Sequence, residues 1–297
     1  MSRRVLPFRL LIWAAGAAVL ITVTASCRDT DGREPVATVA VELDRDAIPL
    51  GGPATFSFQF VVSPAHTPLS EDYRVMVHFL DGNGEMMWAA DHDPAVPTTE
   101  WQPGQTVSYS HQVRIPMYPY IGESVVAVGL YSLTTGERLP LAGEDLGQRA
   151  YRGTTVSLEP QPESGFLVYQ DGWHDAEFSP ATGDRWRWTG ERAGLSFRNP
   201  RSDAVLYLEF DGRTDLFEPA QRVNIRIGDQ VVFETEVSAP VRELYEIALA
   251  AEVLGQDDTV TLVLDVDRTF VPADLAGGPG DERALGVRVF YAFIGPR

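Results

Sequence analysis

Residues 105–115 read QTVSYSHQVRI, and their alternation decides the fold class. Val107, Tyr109, His111, Val113 and Ile115 fall on one side at period two, while Thr106, Ser108, Ser110, Gln112 and Arg114 fall on the other. Successive side chains of a strand point to opposite faces, so this is an antiparallel strand with one face on a core and one in water. The same period continues upstream in DYRVMVHFLD, where Tyr73, Val75, Val77 and Phe79 share a face. DGNG and then EMMWAAD follow, which makes Asp81 to Gly84 a hairpin turn. ATFSFQFVV and ESVVAVGLYS read as further strands, and the proline-rich HDPAVPTTEWQPG and PMYPYIG read as loops that cannot join a ladder.

Beyond the polar, proline-bearing stretch LEPQPESG (158–165) the alternation resumes. Leu206, Leu208 and Phe210 share a face in AVLYLEF, as do Val260, Leu262, Leu264 and Val266 in TVTLVLDVD. GVRVFYAFI is apolar on both faces and is expected at the centre of a sheet. Only VRELYEIALAAEVLG has a helical alternative, and its Ile247 and Leu249 fit a strand almost as well. Many short strands without intervening helices imply an all-β chain of two β-sandwich domains in series, immunoglobulin-like or jelly-roll. The expected division is a leader over 1–26, a tether over 27–36, an N-terminal sandwich over 37–158, a linker over 159–164 and a C-terminal sandwich over 165–297.

The leader places the chain outside the cytoplasm. Arg3, Arg4 and Arg9 precede an apolar run from Leu10 to Val23 that is shorter than the roughly 20 residues of a spanning helix. A positive start, a short apolar middle and small residues at the exit describe a signal peptide. Thr24, Ala25 and Ser26 before Cys27, the only cysteine, resemble a bacterial lipobox, with Thr24 where leucine is usual. That resemblance implies that Cys27 is lipidated and becomes the mature N-terminus, anchoring the protein to the cell membrane or outer membrane, facing the periplasm or exterior. An ordinary signal peptide with an incidental thiol is the other reading, although exported cysteines usually pair.

The net charge is −18, and all 24 basic residues are arginine. Such a polyanion does not neutralise phosphates, which excludes nucleic acid as a partner. The sequence holds no G-x-S-x-G elbow, H-E-x-x-H, phosphate loop or dinucleotide fingerprint. His66, His78, His92, His111 and His174 show no close ligand spacing. Asp91, His92 and Asp93 have metal-binding chemistry, but loop aspartates beside proline more often make turns. No metal or cofactor is assigned. At strand ends, Glu209, Asp211, Asp215, Asp265 and Asp267 read either as solvated edge residues or as acids through which a structural calcium braces a loop. Two carboxylates for a glycosidase can be drawn from any acidic chain, so they decide nothing.

Aromatic residues are the better candidates. Trp186 and Trp188, two apart in DRWRWTG, point to one face of a strand, with Trp173 just upstream. They either fill the core, as most strand tryptophans do, or form a platform for sugar rings. Trp101, in a loop between Glu100 and Gln102, is expected to be an exposed ring. Arg283 in DERALG either pairs with a carboxylate such as Asp281 or reaches an acidic sugar.

GWHDAE, WRWTGERAGLSFRN, LYLEF, VNIRIGDQVV and DERALGVRVFYAFI resemble an accessory jelly-roll domain of bacterial envelope-polysaccharide glycosyltransferases and related export proteins. The resemblance spans about 165–297 and rests on Trp173, Trp188, Thr189, Asp281, Arg283, Leu285 and Gly286. YRVMVHFLDGNGEMMW and WQPGQTVSYSHQVRIP are similar to small sandwich domains accompanying that machinery. It implies a non-catalytic, lipid-anchored envelope protein that binds a glycan or a protein partner of polysaccharide assembly or export. A purely structural lipoprotein and a glycan hydrolase stay open as alternatives.

Overall fold

A computed structural model describes residues 32–239, 241–275, 277 and 280–297. The leader, Cys27 and Arg28 lie outside the described residues, as do Ala276, Gly278 and Pro279 of the glycine-rich loop before Arg283. Among the described residues nine strands precede residue 160: β1 Ala37–Leu43, β2 Ala47–Pro49, β3 Pro53–Val62, β4 Tyr73–Leu80, β5 Met86–Ala89, β6 Thr106–Arg114, β7 Gly122–Ser132, β8 Leu141–Ala142 and β9 Tyr151–Glu159. They form a sheet ordered β6-β3-β1-β8 facing one ordered β2-β9-β7-β4-β5. On β3 Phe56, Phe58 and Phe60 are buried while Ser57 and Gln59 face water, so the alternation in sequence is the alternation in burial. Phe56 meets Phe79 of the opposite sheet edge-to-face at 5.8 Å, which ties the two layers.

Ten strands follow: β10 Val168–Tyr169, β11 Glu177–Phe178, β12 Arg185–Trp188, β13 Arg192–Arg198, β14 Ala204–Asp211, β15 Gln221–Ile227, β16 Gln230–Val237, β17 Glu243–Leu249, β18 Thr259–Val266 and β19 Arg288–Pro296. The sheets are β10-β13-β18-β15-β16 and β11-β12-β19-β14-β17, and Leu195, Leu208, Phe210, Ile225 and Leu264 pack between them. The chain is therefore all-β, two β-sandwiches in series. The helical alternative resolves as β17 followed by a single turn of helix, α1 Ala251–Leu254. Ile247 and Leu249 alternate into the core against β14, and a helix there would lose those seven ladder pairs.

β19 is the third of five strands, and its two apolar faces have two causes. Val289 and Ile294 face the second core, whereas Tyr291 and Phe293 turn outward to the first sandwich. Tyr291 Oη donates to Gly51 O at 2.6 Å, and the Arg114 guanidinium lies over the Tyr291 ring while pairing with Glu209 at 3.0 Å. Arg45 reaches Tyr207 Oη, and Gln112 Nε2 donates to Glu246. A Cβ on Gly52 would sit 3.3 Å from the Phe293 ring, and one on Gly165 would sit 2.9 Å from it. Those two glycines let the sandwiches close on Phe293.

One expectation is corrected. Trp101 is not an exposed ring: it is 1% exposed, packs on Phe60 with ring centres 5.2 Å apart, and donates its indole N–H to Val96 O at 3.0 Å. The 3-10 turn Thr98–Glu100 directs Glu100 and Gln102 to solvent and rolls the intervening ring under the loop. Flanking polarity reported its neighbours, not its own direction.

Candidate functional site

The outer face of the sheet carrying β12, β19 and β14 holds the most functional chemistry. Trp188 stands opposite Arg288 in the β12–β19 register, and Arg288 stands opposite Asp211 in the β14–β19 register. Arg288 closes a two-pronged pair on Asp211, Nε to Oδ1 at 2.8 Å and Nη2 to Oδ2 at 2.6 Å. The same guanidinium lies 5.7, 5.5 and 5.3 Å from the ring centres of Trp186, Trp188 and Phe290. Residues two apart on a strand share a face, so Trp186 with Trp188, and Arg288 with Phe290, form one stripe. Arg242, from the segment before β17, covers the Phe290 ring at 4.5 Å and makes a second two-pronged pair, to Asp184 at 2.8 and 2.9 Å.

One end of the stripe is braced by Arg283. Its guanidinium bonds Asp281 at 2.7 Å and Glu177 at 2.8 Å, and Glu177 is the register partner of Trp186 across β11–β12. Thr189 Oγ1 accepts from Val287 N, Gly286 N donates to Thr189 O, and His174 Nε2 lies 2.9 Å from Ala284 O. A Cβ on Gly286 would fall 2.4 Å from Thr189 Oγ1, so only glycine permits this approach. Thr189, Asp281, Arg283 and Gly286 thus form one corner brace. The other side of the stripe ends at Arg114, Glu209 and Tyr291 of the junction.

The charges are strongly paired. Bonds from Arg242 hold the Asp184 carboxyl below the usual carboxylate range. Arg283 and its backbone N–H hold Asp281 down to about 2, and Asp281 followed by Glu177 raises the Arg283 guanidinium above its ordinary value. Asp215 is lowered by Arg213, whose guanidinium also lies 5.1 Å from the Phe270 ring centre. Asp265 pairs with Arg226 and Arg192, and Asp267 accepts from Arg222 N and lies 3.7 Å from Arg268. Arginines therefore occupy the strand-end acids considered for calcium. Among the described residues no three His, Cys, Asp or Glu side chains converge as a metal needs. In DHDP, Asp91 accepts from Val77 N, Asp93 lies 3.6 Å from Arg74, and His92 is buried.

The tryptophans separate. Trp188 is 8% exposed and belongs to a small core with Phe270 and Leu285. Trp186 is half-buried on the stripe, and its indole N–H finds no acceptor among the described residues. Trp173 sits elsewhere, donating to Gly194 O at 2.7 Å and meeting Tyr169 edge-on at 4.9 Å. Sequence reasoning missed Arg288, Phe290, Arg242 and Asp184 as site residues. Arg288 carried a signal, since an arginine in an otherwise apolar central strand must find a partner on its own sheet face; Arg242 lies 58 residues from Asp184 and carried none.

No family model matches the chain, and no curated protein matches it. Among solved structures it is similar to the tandem CBM22-1-CBM22-2 domains of Paenibacillus barcinonensis Xyn10C, at TM-score 0.29 and 11% identity over 87% of this chain and 94% of that one. TmCBM61 in complex with β-1,4-galactotriose matches at TM-score 0.27 and 9% identity, over 46% of this chain and 91% of that one. Salmonella alpha-2-macroglobulin matches at TM-score 0.25 and 14% identity, over 87% of this chain but 15% of that one. Likeness this slight carries no argument about function.

Proposed function

We propose that this chain is a non-catalytic, lipid-anchored cell-envelope protein whose second sandwich binds a glycan through the Trp186–Phe290 stripe. One observation carries the reading: rings and two-pronged arginine–carboxylate pairs alternate on an outer sheet face that stays partly open, with the Arg288 and Arg242 side chains 34% and 35% exposed. Together they offer apolar edges for sugar C–H groups and fixed donors and acceptors for hydroxyls.

Anchoring rests on the leader and Cys27. A protein partner of polysaccharide assembly or export is the runner-up reading, and retention by polysaccharide alone separates the two.

The test uses the full chain, extracted in mild detergent and run on native gels cast with soluble polysaccharides. Retardation by at least one polymer, lost in Trp186→Ala while the variant keeps the circular dichroism of strand, is expected. Free migration in every gel refutes glycan binding. In cell fractionation, Cys27→Ala is expected to leave the membrane or to accumulate as precursor. A variant that stays membrane-bound and fully processed refutes the anchor.

A further inference from the structure

We infer that the ligand of the Trp186–Phe290 stripe is a neutral glycan, built of uncharged hexose units, and not a polyuronate or a phosphorylated polymer. The inference rests on the glycan reading above and deepens it. Its basis is charge matching across the face. Arg288, Arg242 and Arg283 supply three positive charges, and Asp211, Asp184, Asp281 and Glu177 supply four negative ones, so 3 − 4 leaves one negative charge in excess. Among the described residues, Arg288, Arg242 and Arg283 are each held by a carboxylate of the protein. Arg288 and Arg242 already spend their planar forks on carboxylates of the protein, the geometry a uronic acid would otherwise claim. A uronate would have to displace a carboxylate fixed in place and bring further negative charge to a chain of net charge −18.

Hydroxyls face no such competition. A guanidinium has five N–H donors, and a fork on one carboxylate uses two. Each bound carboxylate oxygen keeps acceptor capacity beyond its bond to arginine. The Arg242–Asp184 and Arg283–Asp281–Glu177 pairs therefore present adjacent donors and acceptors, which suit a sugar hydroxyl that both gives and takes a hydrogen bond, while at the buried Asp211 the Arg288 guanidinium supplies donors. Phe290 and Trp186 are half-buried, with guanidinium groups 4.5 to 5.7 Å from their ring centres, so the apolar side of a pyranose can rest on what they leave open while its hydroxyls meet the pairs. The Arg114–Glu209 pair at the junction continues the same balance, so the stripe does not run into a free cation at that side.

The experiment compares native-gel retardation of the detergent-solubilised full chain in two sets of polymers. One set is neutral: β-glucan, galactomannan and dextran. The other is polyanionic: alginate and polygalacturonate. Wild type should be retarded in at least one neutral gel, with affinity unchanged between 50 and 500 mM salt, and should run freely in both polyuronates. Trp186→Ala should lose at least tenfold in neutral affinity. Asp184→Asn frees the Arg242 fork and should add salt-sensitive retardation by polyuronate, a gain that misfolding cannot mimic. Salt-sensitive retardation of wild type by alginate or polygalacturonate overturns the inference while leaving glycan binding intact. Neutral binding indifferent to Trp186→Ala overturns the placement on this face. Free migration in every gel removes the glycan reading itself, and the inference with it.

Discussion

Acid should loosen the first sandwich through His92, by an amount the structure sets. The His92 side chain is buried, its Nε2 lies 2.8 Å from Tyr109 Oη, and its ring stacks on His111 at 3.9 Å and 13°. Phe58 lies on another side at 4.9 Å. Burial, followed by the neighbouring His111, pushes the imidazole down to about 4, with Arg74 adding to the fall while Ala90 O and Asp91 oppose it. In the unfolded chain the ring titrates near pH 6.5. A depressed folded value means that the unfolded state takes the proton first, so stability is complete above about pH 6.5 and is lost as pH falls toward 4. The gap of about 2.5 units is worth about 3 kcal/mol at full protonation, a large share of the 5–15 kcal/mol typical of a domain. Urea unfolding of the full chain at pH 7.5, 6, 5 and 4.5, followed by tryptophan fluorescence, measures the loss. His92→Phe keeps a ring in the stack but cannot titrate, so its curve should be flatter than wild type by about 2.5 kcal/mol between pH 7.5 and 4.5. Parallel curves for the two proteins, or a ring-proton titration of His92 near its unfolded value, would refute the reasoning.

Trp101→Ala should cost about 3–5 kcal/mol in denaturant unfolding, because it empties a fully buried site and orphans Val96 O, whereas an exposed ring would cost almost nothing. Gly165→Ala should destabilise by about 1–3 kcal/mol through overpacking against Phe293, and the double variant with Phe293→Leu should recover part of that loss; additive losses would deny the contact. Proteolysis within EPQPES (159–164) should leave two fragments that each keep the circular dichroism of strand, since each sandwich has its own buried cluster; loss of that signal on cleavage would mean that neither half folds alone.

The fold was legible because burial in a sandwich is written one residue at a time. The alternation in β6 and β3 needs no distant partner to be read, since a strand with one wet face carries its own record of which side is buried. Where a second partner acts, the record fails or misleads. Nothing local announces that Trp101 turns under its loop, because its direction is set by the backbone turn before it and by Phe60 beneath. β19 reads as apolar on both faces, and only the structure shows that one of those faces is a joint to the first sandwich.

The candidate site follows the same logic with a different outcome. The resembling motif residues Thr189, Asp281, Arg283 and Gly286 meet at one corner, where their role is structural: a glycine no Cβ can replace, and an arginine held by two carboxylates. The side chains that give the neighbouring face its chemistry come from separate strands and from the segment before β17. Asp184 and Arg242 are joined across 58 residues, and Asp211 and Arg288 across 77. A pair of that span leaves no spacing to recognise, only an arginine and an aspartate at odds with an apolar strand. A two-layer fold brings such residues together by register, and register is a property of several strands at once. Local pattern therefore reports the scaffold, and the binding face is visible only once β12, β19 and β14 lie side by side.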